Sequence, residues 1–541
     1  MKKGIITAII GALPMAMMAQ TAFDAYQLSR YDLRGTARFM SMGGAFGALG
    51  GDLSSLSQNP AGVGVYRKSD IGFTLDIDIQ KATSNSSLMS FSQNQTKVGV
   101  NNAGYVGAIR LDSDLMPFFN WGISYNRAAS FNRRYRGADT MRGSLSNYIA
   151  GYTTHEQWTS KELTGTDDNY FDAYGAPWMS ILAYNSYLIN PVGTPESTTY
   201  NGLWKEGATT GENEFDVEET GYIDEFEINF GGNFTDIVYW GIGFGINDIE
   251  YNQNVYYQEF LNNAQIPVLN SSGDVIAGDA TPTPQEVGFG LESRKRITGT
   301  GFNFKAGVIV RPINELRLGF AVHTPTYYNL TQNNDGVVDY GYGYSDGILK
   351  PGYAGTPIES YNWKLRTPWR LMASAAVVLG ANAIISADYE YRPYQSMSTK
   401  FDNGDDVTDV NGDIKDYYKA ANIVRVGAEY RLSNHVSLRA GYAYESTPTG
   451  GDVKDNKLTV FTSGPSDTGT TPSYTLDNST QYITCGIGYR YKSFYADAAY
   501  VNKSYKSDFH AFTPNQYTAV QPATEIKSSS NNIVLTVGFK F

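Results

Sequence analysis

The sequence predicts an all-β protein, a transmembrane antiparallel β-barrel of about 14 strands. Three observations support this prediction. Apolar and polar side chains alternate in segments of about ten residues, the connections alternate between long and short, and the chain ends on an aromatic residue, Phe541. Glycine (56), tyrosine (41) and phenylalanine (26) are abundant in the 541 residues, as strands and turns require.

The alternation is clearest in the last segment, "NNIVLTVGFKF", where Ile533, Leu535, Val537 and Phe539 share one face. The segments "VRVGAEYRL" (424–432) and "VSLRAGYAYE" (436–445) have the same period, with arginine and glutamate on the second face. A soluble sandwich shows this alternation too, so the pattern alone leaves the environment of the apolar face open.

The connection lengths separate the two possibilities. The predicted strands are 69–80, 102–111, 119–131, 222–234, 238–260, 286–311, 315–330, 358–380, 383–399, 420–432, 436–448, 478–492, 494–506 and 528–541. Long connections alternate strictly with short ones such as "LGAN" and "KS", which is typical of an outer-membrane barrel whose apolar face contacts lipid. Short turns and both chain ends are then expected in the periplasm.

The first 68 residues contain no such strand. Residues 1–20 join Lys2 and Lys3 to the apolar run "GIITAIIGALPMAMMA", which predicts a secretory signal peptide that is too short to span a membrane. Residues 21–68 are rich in glycine and small side chains, and we predict that they form a hatch, or plug, inside the lumen of a barrel formed by 69–541. A disordered periplasmic leader is the alternative.

The stretch "RGTARFMSMGGAFGALGGDLSSLSQNPAGVGVYRKSDIGF" (34–73) resembles the amino-terminal region of the FadL/TodX family, outer-membrane transporters of long-chain fatty acids and aromatic hydrocarbons. Residues 299–328, 365–379 and 422–448 are similar to that family too. The resemblance implies a 14-stranded barrel blocked by an amino-terminal hatch. It also implies capture of a hydrophobic ligand by outer loops, an apolar pocket above the hatch and sideways release at a kinked strand.

The elements that carry the resemblance most specifically are candidate gating residues of the hatch: Met42, Gly43, Gly44, Asn59, Pro60 and Ala61. Glycine permits sharp bends, and the Asn59 side chain is suited to capping a local turn. A purely structural turn is the alternative interpretation.

Two further sets are candidates for ligand contact. Trp178, Met179, Ile181 and Leu182 belong to an aromatic stretch of the long outer loop near 132–221, where they either capture an acyl chain or form a short helix that packs the loop's own core. In the lumen, Arg317 shares a face with His323 and is a candidate for binding a carboxylate head group, although lumen charges of opposite sign also neutralise one another.

Other classes of function are disfavoured. The net charge of -12 argues against nucleic acid, and the single cysteine, Cys485, excludes an internal disulfide. We predict no metal, no cofactor and no catalytic residue. The alternatives to lipid uptake are a haemin receptor with axial ligands from His323 or His510, a structural or adhesive barrel and an enzyme barrel. Expected partners are a hydrophobic small molecule, outer-membrane lipid and lipopolysaccharide, and the barrel-assembly machinery that recognises Phe541.

Overall fold

The computed structural model describes residues 21–164, 171, 175–194, 196–265, 286–343, 349–451, 469–513 and 521–541, and the backbone of 268–269 and 275–276. The predicted signal peptide lies outside the described residues. No helix in the described ranges is long and apolar enough to cross a membrane.

The architecture is a closed antiparallel barrel of 14 strands, which confirms the predicted fold class. The strands are β1 Asp70–Asn85, β2 Ser92–Arg110, β3 Phe118–Ser130 and Arg133–Thr140, β4 Thr210–Phe234, β5 Val238–Asn262, β6 Glu286–Val310, β7 Leu316–His323 and Tyr327–Gly343, β8 Leu349–Gly355, Glu359–Arg366 and Arg370–Leu379, β9 Ala383–Pro393 and Ser398–Phe401, β10 Ala420–Arg431, β11 Val436–Glu445, β12 Tyr474–Tyr491, β13 Phe494–His510 and β14 Thr524–Lys540. Two short hairpins lie in the loops, Asn190–Pro191 with Tyr200–Asn201 and Val268–Leu269 with Val275–Ile276.

The first and last strands close the cylinder. β1 pairs with β14 in continuous register from Asp70–Lys540 to Asn85–Glu525. At the same end, Ser69 and Phe541 exchange two backbone hydrogen bonds of 3.0 Å, so the carboxyl terminus lies at the end of the barrel that carries the short turns. Outward side chains such as Leu535 and Ile71 are about half exposed, which is the arrangement that lipid contact requires.

Helices lie inside the barrel and in its loops. They are α1 Ala22–Gln27, α2 Ala37–Ser41, α3 Ser55–Gln58, α4 Leu145–His155, α5 Ser160–Leu163, α6 Trp178–Asn185 and α7 Thr408–Tyr417, with 3-10 turns at Pro60–Val65 and Tyr394–Ser396. The long loop between β3 and β4 places α4 and α6 over the long-loop end, where their apolar side chains form one core with Phe215 of β4 and Phe509 of β13.

The N-terminal segment, residues 21–68, runs through the interior of the barrel. Asp24 pairs with Lys295 in the loop-end half of β6 (2.7 Å), and the Asn120 side chain near the short-turn end of β3 donates to the Val63 carbonyl (2.7 Å). Thr21 therefore lies deep in the barrel toward the long loops.

Inward-facing glycines of the wall allow the segment to pack against backbone. A Cβ at Gly307 of β6 would collide with Asn59 Oδ1, and one at Gly441 of β11 would collide with the Gly43 amide. Asn59 in turn donates to the Gly47 carbonyl (2.6 Å) and accepts from the Ala61 amide (3.1 Å), so its side chain does cap the turn that begins at Pro60.

The lipid-facing band generates one prediction. Leu535→Arg places a charge in the apolar band and should lower the free energy of unfolding by about 2–4 kcal/mol if the residue lies near the bilayer midplane. Tyr353→Arg is the control, since Tyr353 is 81% exposed in the loop-end segment of β8. Urea unfolding in lipid vesicles measures both, and an equal loss in the two variants would contradict the placement of the band.

The glycine contacts generate a second prediction. Gly307→Ala should displace the Asn59 side chain and cost about 1–3 kcal/mol, the usual range for overpacking. Gly341→Ala in β7 is the matched control, because a Cβ there meets no atom within 4 Å. Hydrogen exchange of the amides of residues 59–66 should increase only in the Gly307 variant; unchanged exchange would show that the close packing is not needed to hold the segment.

Candidate functional site

The barrel wall has a side opening between β2 and β3. Residues 92–100 of β2 pair with β1, but residues 92–101 form no ladder with β3, whose pairing to β2 stops at Asn102–Asn126. An isolated bridge between Met89 and Ala138 bounds the opening on the loop side. The opening faces the break between the two segments of β3, residues 131–132.

The cavity behind the opening is small and polar. It is lined by Arg34 and Asp78 on the inside, by Gln93 and Gln95 of β2, and by Asn132 at the break in β3. Its volume of about 40 Å³ holds only a few water molecules, so a larger molecule passes only after some of this lining moves.

The N-terminal segment supplies the charged inner wall of this cavity. The Arg34 guanidinium donates to Asp76 and Asp78 of β1 at 2.8 Å each, and Lys503 of β13 donates to Asp32 at 2.6 Å. These residues were not predicted from the sequence. The only sequence signal was the acidic run of β1, since Asp76 and Asp78 lie on the face opposite its apolar side chains.

The Asp32 pair makes the docking of the segment dependent on pH. Burial by itself raises the pKa of the Asp32 carboxyl, but the charges of Lys503, Arg30 and Arg34 outweigh burial and hold that pKa well below its usual range. A depressed folded-state pKa stabilises the folded state above the unfolded pKa of about 4, and this stabilisation is lost as the pH falls below that value.

A second polar cavity of about 70 Å³ lies deeper in the lumen, next to the arginines that surround Glu390. Glu390 accepts hydrogen bonds from Arg370 (2.6 Å), Arg392 (2.7 Å) and Arg425 (2.7 Å). The resemblance implied an apolar pocket above the hatch, whereas the lining of both cavities is dominated by polar and charged side chains.

The predicted head-group residues both contact backbone of the N-terminal segment. Arg317 Nη1 donates to the Leu49 carbonyl (2.9 Å), and His323 Nε2 lies 2.9 Å from the Gln58 carbonyl. The Nε of Arg317 is buried without a partner, and this arginine forms no ion pair with the carboxylates of the described ranges. Arg317 and His323 are thus held by carbonyls that belong to the predicted hatch.

The other predicted site residues are also located. Met42 is fully buried, the Gly43 amide donates to Thr484 Oγ1 (3.1 Å), and Gly44 accepts through its carbonyl from the Gln58 side chain (2.8 Å). The four candidate capture residues lie on α6 and are at most 1% exposed within the loop's own core: Trp178, Met179, Ile181 and Leu182.

Both histidines that were candidate axial ligands for haemin already contact other groups of the protein. His510 stacks on Tyr474 with ring centroids 4.8 Å apart, and His323 contacts Gln58 as described above. Across the described part of the chain, no group of three or more His, Cys, Asp and Glu side chains has the arrangement to hold a metal ion.

Several solved structures of outer-membrane channels resemble this chain in fold. An FadL homologue of Pseudomonas aeruginosa is 15% identical, with 95% of this chain and 100% of that one covered and a TM-score of 0.51. The toluene transporter TodX of Pseudomonas putida (13% identity, 94% and 99% covered, TM-score 0.45) and the toluene transporter TbuX of Ralstonia pickettii (13%, 94% and 99%, 0.44) are more distant. No family model and no curated protein matches the sequence. The match to the FadL homologue therefore concerns the fold, and in its fold the chain is a 14-stranded barrel similar to that homologue, as the sequence resemblance predicted.

Proposed function

We propose that the protein is an outer-membrane channel for the passive uptake of hydrophobic small molecules, namely long-chain fatty acids or related lipids. The observation that carries this proposal is the side opening between β2 and β3, which lies next to a lumen filled by a non-covalently held segment. A barrel that served only as a structural or adhesive surface has no need of an unpaired edge, which costs backbone hydrogen bonds.

The proposed route has three steps. The long loop captures the ligand through Trp178, Met179, Ile181 and Leu182, after the packing of α6 on α4 loosens. The N-terminal segment acts as the hatch, with Met42–Gly44 and Asn59–Ala61 as the elements that shift. The ligand then leaves sideways into the bilayer. In this proposal the short turns and Phe541 face the periplasm, and Phe541 is the signal that the barrel-assembly machinery recognises.

Competition for Arg317 supplies a way to move the hatch. With the N-terminal segment in the lumen, Arg317 binds the Leu49 carbonyl and His323 binds the Gln58 carbonyl. A carboxylate accepts two parallel bonds from a guanidinium and carries a charge, so it binds arginine more strongly than one carbonyl does. We propose that an incoming carboxylate takes Arg317 from Leu49 and thereby releases this part of the segment.

The polar lining favours an amphiphile with an acidic head over a plain hydrocarbon. An aromatic hydrocarbon gains nothing from Arg34, Gln93 or Gln95, and it leaves their polar atoms without partners when it displaces water. A fatty acid satisfies such groups with its carboxylate while its chain follows behind.

Closing the side opening tests the proposed route. Lys97 and Asn132 face each other across the opening, with Lys97 Nζ 3.0 Å from Asn132 Oδ1. In a Cys485→Ser background, we would replace both by cysteine and join them with a bifunctional thiol reagent. The cross-link should abolish uptake of a labelled fatty acid into vesicles. The control pair is Tyr105→Cys with Ile123→Cys, which are already opposite each other in the paired part of the same strands. Uptake that survives the first cross-link would refute sideways release at this position.

Replacing Arg317 tests the competition. Arg317→Gln should weaken binding of a long-chain carboxylate by about tenfold or more, the value of a hydrogen bond to a charged group, and leave binding of its methyl ester unchanged. Arg425→Gln is the matched control, since Arg425 is already paired with Glu390. Tryptophan fluorescence titration measures both ligands, and an equal loss for acid and ester would rule out a head-group contact at Arg317.

A further inference from the structure

The outer surface of the barrel carries an apolar groove on β6–β9, away from the side opening. Its volume is about 660 Å³, more than ten times that of the cavity behind the opening. Its outward side chains form two rows across the four strands: Ala306, Val322, Leu371 and Tyr391 in one, and Val308, Phe320, Ala373 and Tyr389 in the other.

Breaks in three neighbouring strands bound this groove on the loop side. β7 is interrupted at residues 324–326, β8 at 367–369 and β9 at 394–397, and the register pairs His323 with Arg370 and Tyr327 with Arg366 on either side of the first two breaks. Pro325 and Pro368 lie within the breaks and donate no ladder hydrogen bond, so the wall bends there and leaves a hollow below the bend.

Three cationic side chains lie close together on the outward face just beyond the bend. Lys364 of β8 lies directly opposite Lys400 of β9, and Arg366 follows on the same face. Like charges in directly opposed positions destabilise a sheet. Lys364 and Arg366 donate only to the backbone carbonyls of Asp402 and Ser396, and one carboxylate, Asp406, pairs with Lys400. Lys364 and Arg366 therefore form no ion pair with the carboxylates of the described residues, although the turn that follows Lys400 also contains Asp402 and Asp405.

We propose that the groove and these three cations form a binding site for a phosphorylated, multiply acylated glycolipid of the outer leaflet, lipopolysaccharide in chemical class. Acyl chains lie in the groove, and the sugar phosphates bind Lys364, Arg366 and Lys400. Arg366 and Leu371 are five residues apart, at most about 17 Å along a strand, which a single lipid spans from phosphate to chain.

The width of the groove favours a lipid with several acyl chains. Three inter-strand spacings separate β6 from β9, which is about 14 Å and wider than one acyl chain. Three cations likewise exceed the need of a single phosphodiester. The assignment to the outer leaflet rests on the orientation in the proposed function, with the long loops outside the cell.

The experiment is native mass spectrometry of the full detergent-purified chain with added lipid A, phosphatidylglycerol or phosphatidylcholine. Lipid A should bind in preference to both phospholipids. Lys364→Gln/Arg366→Gln should weaken lipid A binding by about 30-fold, since each basic side chain near a membrane surface contributes about 1 kcal/mol. The control is Lys506→Gln/Lys527→Gln, which removes two exposed outward cations from β13 and β14.

A second pair of variants tests the groove itself. Ala373→Phe fills it and should reduce lipid A binding, whereas Ala498→Phe, on the outward face of β13, should not. The gel shift between boiled and unboiled samples shows that each variant is folded. Equal binding of lipid A and phosphatidylglycerol, or equal losses in test and control variants, would overturn the site. If lipid A binding is lost but fatty acid uptake is intact, the proposed function still holds. If lipid A binds at the groove but no fatty acid is taken up, only the proposed function is rejected.

Discussion

The need to pair every backbone hydrogen-bonding group within hydrocarbon governs this structure. The β1–β14 ladder meets it along the seam where the chain closes on itself. Residues 92–101 of β2 do not, and their outward side chains explain why: Ser92, Asn94 and Thr96 are polar, and the first apolar outward residue is Val98. The opening therefore lies at the loop-side border of the apolar band, where lipid head groups and water are available to the backbone groups of the free edge. In the proposed route, a molecule released there enters the bilayer at the level of the head groups, which suits an amphiphile.

In the lumen, the corresponding constraint is the pairing of charges, because buried charges are costly unless they are paired. Arg439 lies between Glu429 and Asp497, at 2.6 Å from each, and Arg38 of the N-terminal segment also binds Glu429 at 2.9 Å. Together with Arg34 and Asp32, these contacts make the segment part of the charge balance of the wall. Its complete removal leaves carboxylates of β1 and β10 short of cations. Opening is therefore expected to be a local shift near Leu49 and Gln58, where hydrogen bonds, including those to Asp388, hold the segment and no ion pair does.

The sequence predicted the strand number and the short-turn ends of the strands closely. Alternation is strict there because one face contacts lipid and the other the lumen. Several long-loop ends were missed: β4 begins at Thr210 rather than 222, since "TGENEFDVEETG" (210–221) extends beyond the lipid and needs no apolar face. The depth of α1 and the fit of Asn59 to Gly307 were also beyond the sequence. Both depend on contacts between residues hundreds of positions apart, which local periodicity does not encode.

The strand breaks differ in their effect on the wall, and hydrogen bonding explains the difference. At the breaks of β7 and β8, the Thr326 amide donates to Thr367 Oγ1 (2.8 Å) and the Thr367 amide donates to the Thr326 carbonyl (3.1 Å), so the two strands stay joined and the wall bends without opening. The break of β3 faces an edge of β2 that forms no backbone ladder with it in the described residues. Side-chain contacts cross the opening there, from Lys97 to Asn132 (3.0 Å) and from the Tyr125 hydroxyl to the Val100 carbonyl (3.5 Å). A bend therefore yields a lipid-facing hollow where neighbouring strands remain bonded, and a side opening where they do not.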